Sequence, residues 1–290
     1  MVIRPVRPTA PTRLTARERA RRAARGGASR SVPAPLLVPA LIAILFLLLP
    51  LAGLLIRAPW GRLGAALSGA DATQALTLSL WTATVSTAIS MVIGVPLAWV
   101  LARTSFPGQR LLRALVTLPL VLPPVVGGVA LLLAFSRTGI VGRYLDSWFG
   151  LTIPFTPLAV VMAETFVAMP FLIITVEGAF RSADQGFEEA AATLGARRLT
   201  VFRRITLPMV APSLGAGAVL CWARALGEFG ATITFAGNFP GTTQTMPIAV
   251  YIALETDPDA AIALSLLLLI VSVTILVLLR DRIVRSGPIT

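Results

Sequence analysis

The chain has 290 residues, of which 56% are hydrophobic and 13% are charged, and its mean hydropathy is +0.84. Soluble domains carry about 25% charged residues, so this chain must bury most of its surface in something other than itself. Several apolar runs are long enough to cross about 30 Å of hydrocarbon as helices. Because these runs are continuous rather than alternating, the composition predicts an all-α membrane protein.

Missing residue types restrict the chemistry. All 25 basic residues are arginine, and without lysine the chain cannot contain a phosphate-binding loop of the G-x-x-x-x-G-K-[ST] type. The absence of histidine removes most zinc sites and most acid–base triads. The single Cys221 lies in an apolar run and is interpreted as a small buried hydrophobe. We expect no catalytic residue, metal or cofactor on this chain, so any ATP and Mg²⁺ must be bound by another subunit.

The apolar runs divide the chain. Residues 1–32 hold nine arginines and one glutamate and predict a disordered cytoplasmic arm. The six predicted spans are 36–56, 74–102, 111–135, 157–178, 208–235 and 260–279. The predicted domains are the arm, an extra first transmembrane helix with an external loop (33–72), a core (73–280) and a cytoplasmic tail (281–290).

Prolines and glycines interrupt two of the spans. Pro96 predicts a kink in the second span. In the third span, backbone groups freed by the breaks must face protein or water, which is compatible with a transport path or with a plain kink. The interrupting residues of the third span are Pro119, Pro123, Pro124, Gly127 and Gly128.

The distribution of arginine predicts the orientation. The net charge of +12 is compatible with nucleic-acid binding or with arginine retained on the cytoplasmic side of a membrane. With six spans, one side carries twenty arginines and the other four, while Arg224 lies inside a span. This asymmetry predicts that both termini lie in the cytoplasm. Because it accounts for the positive charge, we expect no nucleic-acid partner. It also predicts contact between the arm and anionic lipid.

The segment 181–208, between the fourth and fifth spans, predicts a helix, a glycine turn and a second helix. Ser182 or Asp184 can cap the first helix, and Gly195 suits the left-handed residue that ends it. Small alanines at 190–192 would let this helix sit deep in a partner's cleft, with Glu189 available for a polar contact.

The second helix of this segment is amphipathic. Leu199, Phe202 and Ile205 share one face, and Pro208 suits the first turn of the fifth span. Taken alone, these residues are compatible with a rigid docking knob or with a linker lying on lipid headgroups.

The same segment resembles a known signature. Glu189-Ala190-Ala191 is followed after three residues by Gly195 and after nine more by Ile205-x-Leu207-Pro208. This spacing matches the E-A-A-x3-G-x9-I-x-L-P signature of binding-protein-dependent ABC importer permeases.

The resemblance implies a type I ABC importer permease fold with six transmembrane helices in a bacterial inner membrane. It also implies a cytoplasmic coupling helix, a second copy of the chain, two ABC ATPase subunits and an external oxyanion-binding protein. The residues expected to contact the ATPase are Glu188, Glu189, Ala190, Ala191, Gly195 and Pro208.

Further blocks are similar to the molybdate permeases of bacteria. They are Arg103-Thr-Ser-Phe-Pro-Gly108, Leu118-Pro-Leu-Val-Leu-Pro-Pro-Val-Val126, the stretch from Ala223 to Asn238 and Thr245-Met-Pro-Ile-Ala-Val-Tyr251. The Gly-Glu-Phe-Gly block is shared with sulfate permeases and indicates only tetrahedral oxyanions. The resemblance therefore implies molybdate, with tungstate or sulfate as alternatives, and it leaves the first span and the arm without a role.

Charged residues in the fifth span need a partner. Arg224 and Glu228 stand four residues apart on one helical face. Either would cost about 2.5–3.5 kcal/mol or more at the bilayer centre, so both should face the protein interior or a dimer axis. The pair fixes helix packing, lines a gate or contacts the anion directly. Thr232 and Thr234 are candidate neutral donors to the substrate.

Two other classes of function are considered. An ion-coupled secondary transporter would use intramembrane carboxylates, for which Glu164 and Glu228 could serve. Glu164 is otherwise a buried protonated group or a partner for an arginine. An intramembrane enzyme is disfavoured because histidine, lysine and a G-x-S-x-G elbow are all absent.

Overall fold

The computed structural model describes residues 34–61, 63–64 and 69–285, and every regular element in these ranges is helical. The predicted all-α class is confirmed. The arm predicted for residues 1–32 lies outside the described residues, as do residues 286–290 of the predicted tail. The chain divides into two compact units, Met1–Gly53 and Leu54–Thr290.

Twelve helices are assigned within the described ranges. A π turn (Phe202–Thr206) connects α8 directly to α9. The helices are α1 (Ala34–Ile56), α2 (Ala70–Arg103), α3 (Gln109–Val121), α4 (Pro124–Phe135), α5 (Gly142–Phe149), α6 (Pro157–Ser182), α7 (Gly186–Thr193), α8 (Arg198–Val201), α9 (Leu207–Leu226), α10 (Gly230–Phe235), α11 (Met246–Thr256) and α12 (Pro258–Arg285).

Among the described residues, five stretches of helix are long and apolar enough to cross a membrane: α1, α2, α6, the continuous α8–α9 helix and α12. The predicted third span is a bent pair, because α3 and α4 meet at 117°. Leu122 and Pro123 are extended at the bend (ψ 132° for both), as expected of residues that precede a proline. The six predicted spans are reached when this bent pair is counted as one span.

The predicted fifth span, 208–235, is corrected at both ends. Pro208 lies in the first turn of α9, as predicted, but the chain is already helical from Arg198. Pro208 has no N–H to donate to a carbonyl one turn back, which would normally interrupt the helix. The π turn accommodates this, because Leu207 N–H bonds to the Phe202 carbonyl, five residues back. At the other end, α9 stops at Leu226, and α10 begins only at Gly230.

The interior of the second unit is built by α2, α6 and α9. Leu101, Leu172, Phe180 and Trp222 belong to one cluster of buried side chains from these three helices. Because lipid supplies no hydrophobic drive for helices to associate, close packing of this kind holds membrane helices together. Within the described residues, the first unit contains only the part of α1 up to Gly53, and the apolar side chains of this part are exposed.

A buried carboxylate joins α2 to α6. Glu164 is 1% exposed, and its two oxygens accept hydrogen bonds from Thr82 Oγ1 (2.8 Å) and Ser86 Oγ (2.9 Å). The sequence interpretation considered a protonated group or an arginine partner, whereas the partners found among the described residues are two hydroxyl groups. These bonds provide the polar contact that a carboxylate needs in an apolar environment.

Gly128 allows α4 and α10 to cross closely. A Cβ atom at this position would lie 2.7 Å from the Ala231 carbonyl oxygen and 2.8 Å from Thr234 Cβ. Both distances are shorter than van der Waals contact, so only glycine permits this separation. The glycine predicted to interrupt the third span thus serves a helix crossing, in addition to the break made by the prolines.

We predict that Gly128→Ala destabilises the protein, because the added methyl must push α4 away from α10. Overpacking of this kind costs about 1–3 kcal/mol. The measurement is the thermal midpoint of the detergent-purified protein, followed by size-exclusion chromatography. Gly178→Ala is the matched control, since a methyl there meets nothing within 4 Å in the described part of the chain. Equal midpoints for the two variants would contradict the prediction.

Candidate coupling surface and translocation site

The helix α7 begins and ends with local capping interactions. At its start, Asp184 Oδ1 accepts a hydrogen bond from the Gly186 N–H (2.9 Å), which selects Asp184 of the two predicted caps. At its end, Gly195 has a φ of +80°, Gly195 N–H bonds to the Ala192 carbonyl (3.0 Å) and Ala196 N–H bonds to the Ala191 carbonyl (3.1 Å). These two bonds form a Schellman motif, which explains the glycine at this position.

The predicted docking residues separate into two groups. Glu189, Ala190 and Gly195 are exposed and lie on or directly after α7. Ala191 is half-buried, and Pro208 is exposed but lies in α9, beyond the π turn. The exposed group forms a small surface with one carboxylate and little side-chain bulk. Within the described residues this surface is open to solvent, so another protein could contact it.

Glu188 points back toward the chain instead. Its Oε1 accepts a hydrogen bond from Arg103 Nη2 (2.9 Å), and the same nitrogen donates to the Ala183 carbonyl at the end of α6 (3.3 Å). The side chain of Arg103 is only 6% exposed and that of Glu188 is 21% exposed. The ion pair therefore clamps α7 to the end of α2, and Glu188 is occupied by an internal contact.

A second ionic contact ties neighbouring helices together at the same end. Glu177 in α6 lies 2.9 Å from Arg113 of α3 and 2.7 Å from Arg181, one turn further along α6. Glu177 is largely buried, whereas Arg181 is half-exposed. Because both cations converge on one carboxylate, α3 is held against the end of α6 immediately before α7 begins.

The predicted apolar face of the second helix is divided in the structure. Phe202 packs inward, with its ring 5.9 Å from the Trp99 ring and 6.3 Å from the Phe180 ring. Leu199 is 60% exposed, and Ile205 is half-buried. The predicted apolar face is therefore only partly covered, because Phe202 packs into the bundle whereas Leu199 remains at the surface.

Two exposed apolar residues were missed by the sequence interpretation. Phe187 is 61% exposed and Leu194 is 88% exposed, at the two ends of α7. They are seven residues apart, which is two helical turns, so they project from the same side of the helix. That spacing, beside the alanines, is the signal that could have identified them.

The structure brings Arg224 and Glu228 together as predicted. They form an ion pair at the end of α9, with Glu228 1% exposed and Arg224 27% exposed. Glu228 also accepts a hydrogen bond from the Ala231 N–H (2.8 Å) through Oε1. The carboxylate therefore joins the two halves of the broken helix by pairing with α9 and capping α10.

The two candidate threonines differ in accessibility. Thr232 is fully buried in α10. Thr234 is half-buried beside Gly128, and its hydroxyl donates to the Gly230 carbonyl (2.8 Å). In this conformation, the structure places neither hydroxyl on an open surface of the chain.

The sequence was compared with protein families and with characterised relatives. The family described as "Binding-protein-dependent transport system inner membrane component" matches residues 94–286. The molybdenum transport system permease protein ModB of Mycobacterium tuberculosis (strain ATCC 25618 / H37Rv) is 50% identical over 221 residues, which are 76% of this chain and 83% of that protein. ModB of Escherichia coli (strain K12) is 44% identical over 183 residues, covering 63% and 80%.

A sulfate permease and two solved structures are also similar. The sulfate transport system permease protein CysT of Salmonella typhimurium is 36% identical over 218 residues, covering 74% of this chain and 78% of that protein. A bacterial alginate ABC transporter aligns with a TM-score of 0.72 at 21% identity, covering 88% of this chain and 95% of that one. The MetNI methionine transporter aligns with a TM-score of 0.56 at 22% identity, covering 76% and 100%.

These structural matches confirm the predicted type I importer permease fold. The family match covers the predicted core from within α2 to the last residues of α12, and it includes α7 and the broken helices. The chain belongs to the inner membrane components of binding-protein-dependent transport systems and is a multi-pass permease subunit of an ABC importer.

Proposed function

We propose that this chain forms the translocation pathway of a molybdate importer. The observation that carries this proposal is the 50% identity with ModB of Mycobacterium tuberculosis, against 36% with the sulfate permease CysT over a similar length. Family membership argues against the ion-coupled transporter, because permeases of this family work with an ATPase. ATP and Mg²⁺ then belong to the ATPase subunits.

The ATPase docks on α7. Its contact surface consists of Glu189, Ala190 and Gly195, extended at both ends by the exposed Phe187 and Leu194. Small residues at the centre let the helix enter a cleft, while the two large apolar side chains give the contact its buried area. This arrangement favours a protein partner over lipid headgroups, because Glu189 lies at the centre of the surface.

Movement of the ATPase is transmitted by two connections. One is covalent, through α8 and the π turn into α9, and is stiffened by Phe202 between Trp99 and Phe180. The other is the ion pair between Glu188 and Arg103, which attaches α7 to α2. Together they make α7 part of the bundle rather than a flexible loop on its surface.

The working unit is a homodimer with the pathway along its two-fold axis and both termini in the cytoplasm. The twenty arginines on the side of α7, against four on the other side, support this orientation. An external binding protein delivers the oxyanion to the opposite face, in keeping with the family description. ATP-driven closure of the ATPases opens the pathway outward, and hydrolysis resets it.

The pair Arg224–Glu228 braces the broken helix beside this pathway. Because Glu228 already neutralises Arg224, the pair does not hold a bare dianion too tightly for release. Thr232 and Thr234 are neutral donors on the same short helix and would meet the substrate only after α10 moves. The pair is therefore proposed as a gate support rather than as the anion ligand.

We predict that tungstate competes with molybdate for uptake and that sulfate at equal concentration does not. Tungstate closely matches molybdate in size and charge, whereas sulfate is smaller. The measurement is uptake of labelled molybdate by vesicles containing the permease, its ATPase and its binding protein. Measuring oxyanion binding to the isolated binding protein separates its selectivity from that of the permease. Equal competition by sulfate would contradict the molybdate assignment.

We predict that Glu188→Gln lowers the thermal stability of the permease, because Arg103 then keeps a nearly buried charge without its counterion. Losing one partner of a buried pair costs about 3–5 kcal/mol, and the partial exposure of Glu188 reduces this to about 1–3 kcal/mol. The double variant Glu188→Gln with Arg103→Gln should lose less stability than the sum of the two single variants, because no charge is then left without its partner. Additive losses would contradict the clamp.

Glu189→Gln is the matched control for the clamp, because it changes the neighbouring exposed carboxylate. It should leave the melting temperature of the isolated permease unchanged and weaken association with the ATPase, measured by co-purification. A fall in stability for Glu189→Gln, with unchanged ATPase association, would contradict the proposed division of roles between the two glutamates.

We predict that Gly195→Val uncouples ATP hydrolysis from transport while membrane insertion stays intact. The φ of +80° costs a side chain about 1–2 kcal/mol, and more for a β-branched one, so the turn after α7 must change shape. The readout is the ratio of ATP hydrolysed to molybdate transported in proteoliposomes. Gly195→Asn should retain most coupling, because asparagine tolerates this conformation. Normal coupling in Gly195→Val would contradict the assignment of α7.

A further inference from the structure

The short helix α5 is fixed at the end of a membrane helix. The chain turns directly after α4, where the Val141 N–H donates to the Ala134 carbonyl (2.9 Å) and the Gly139 N–H donates to the Ser136 carbonyl (2.8 Å). Gly142, the first residue of α5, packs so tightly against the carbonyls of Phe135 and Ser136 that a Cβ atom would overlap them. α5 therefore starts directly beside the end of α4, the second half of the bent pair that is apolar enough to cross a membrane.

The apolar side chains of α5 differ in their surroundings. Leu145 is half-buried and packs with the cluster that contains Leu131. Trp148 and Phe149, one turn further along the helix, and Ile140, just before it, are each more than 70% exposed. Tyr144 lies beside Trp148, with ring centroids 5.3 Å apart, so the exposed face is a continuous aromatic and aliphatic surface.

The charges near this face are unequally compensated. Arg137 lies 3.7 Å from Asp146 and donates to the hydroxyl of Thr152 (3.0 Å). Arg143 instead lies over the Tyr144 ring, 4.6 Å from its centroid, and donates to the Tyr144 hydroxyl (2.8 Å). No carboxylate within the described residues lies within 4 Å of Arg143. The aromatic face thus carries one cation that remains available to an anion.

We propose that α5 is an interfacial anchor that binds an anionic phospholipid. Trp148 and Phe149 enter the boundary between headgroups and acyl chains, where aromatic side chains are favoured. Arg143 then meets the lipid phosphate, with its guanidinium already oriented by Tyr144. A contact of this face with a second copy of the chain or with the external binding protein would not explain why a cation lies beside the aromatic side chains. The lipid contact of α5 does not depend on which anion is transported. It rests on the proposed function only in one respect, because the proposed orientation places α5 at the outer leaflet.

The experiment places a spin label on this face. The native Cys221 is buried, so Trp148→Cys on a Cys221→Ala background gives one labelling site. The permease with its ATPase is reconstituted in phosphatidylcholine vesicles with or without phosphatidylglycerol, and nitroxide collisions with oxygen and with a water-soluble nickel chelate are measured. The ratio of oxygen to nickel collisions should be several-fold higher than for the same label in Ser147→Cys, which lies on the polar side of α5. It should rise further with phosphatidylglycerol.

Arg143 is tested on the same labelled protein. Arg143→Gln should abolish the response to phosphatidylglycerol, whereas Arg137→Gln should retain it, because Arg137 is already paired with Asp146. Quenching of the native Trp148 by brominated lipid, measured as the difference from Trp148→Phe, gives the same test without the label.

Three outcomes would overturn the anchor. One is nickel access equal to that of the Ser147→Cys label in both vesicle types. Another is dipolar broadening between two labelled copies, which would identify a dimer contact. The last is immobilisation of the label only after the external binding protein is added.

Discussion

Hydrocarbon offers no hydrogen bonds, so a carboxylate that this chain buries inside the membrane needs polar partners within the protein. Glu164 meets this constraint through Thr82 and Ser86, and the contact holds α2 against α6. Glu228 meets it through Arg224 and the Ala231 N–H, and the contact holds the two parts of the broken fifth span together. Each buried carboxylate thus joins two helical segments, and the arrangement of the bundle depends on these joints.

At the end of the bundle that carries α7, ion pairs also connect helices, but their side chains are partly exposed. Arg103 reaches from α2 to Glu188 of α7 and to the carbonyl that ends α6, so one guanidinium connects three helices. Arg113 and Arg181 converge on Glu177 a short distance away. Breaking one of these pairs leaves a partly buried charge, so their value lies in fixing the position of α7 as much as in stability.

Local features were predictable from the sequence, whereas contacts distant along the chain were not. Apolar runs located the long helices, and the left-handed turn at Gly195 followed from its place after a run of helix formers. The direction of Glu188 could not be predicted, because Arg103 lies 85 residues away and nothing in the local pattern distinguishes Glu188 from Glu189. The early start of the fifth helix was missed because proline normally opens a helix, whereas here a π turn carries the helix past Pro208.

The position of the rigid joints indicates where the bundle can change shape. α7 is fixed to α2 through Arg103, to α6 through the short link at Ala183, and to α9 through the π turn, so a push on α7 moves these helices together. Bending then falls on segments where the helical hydrogen bonds are interrupted, which are the turn before Pro124 and the stretch Gly227–Phe229. Gly230 packs against Pro124 and Val125, so the two interruptions are in contact. Under the proposed function, a force applied at the ATPase surface would reach the membrane interior at this contact, beside Glu228.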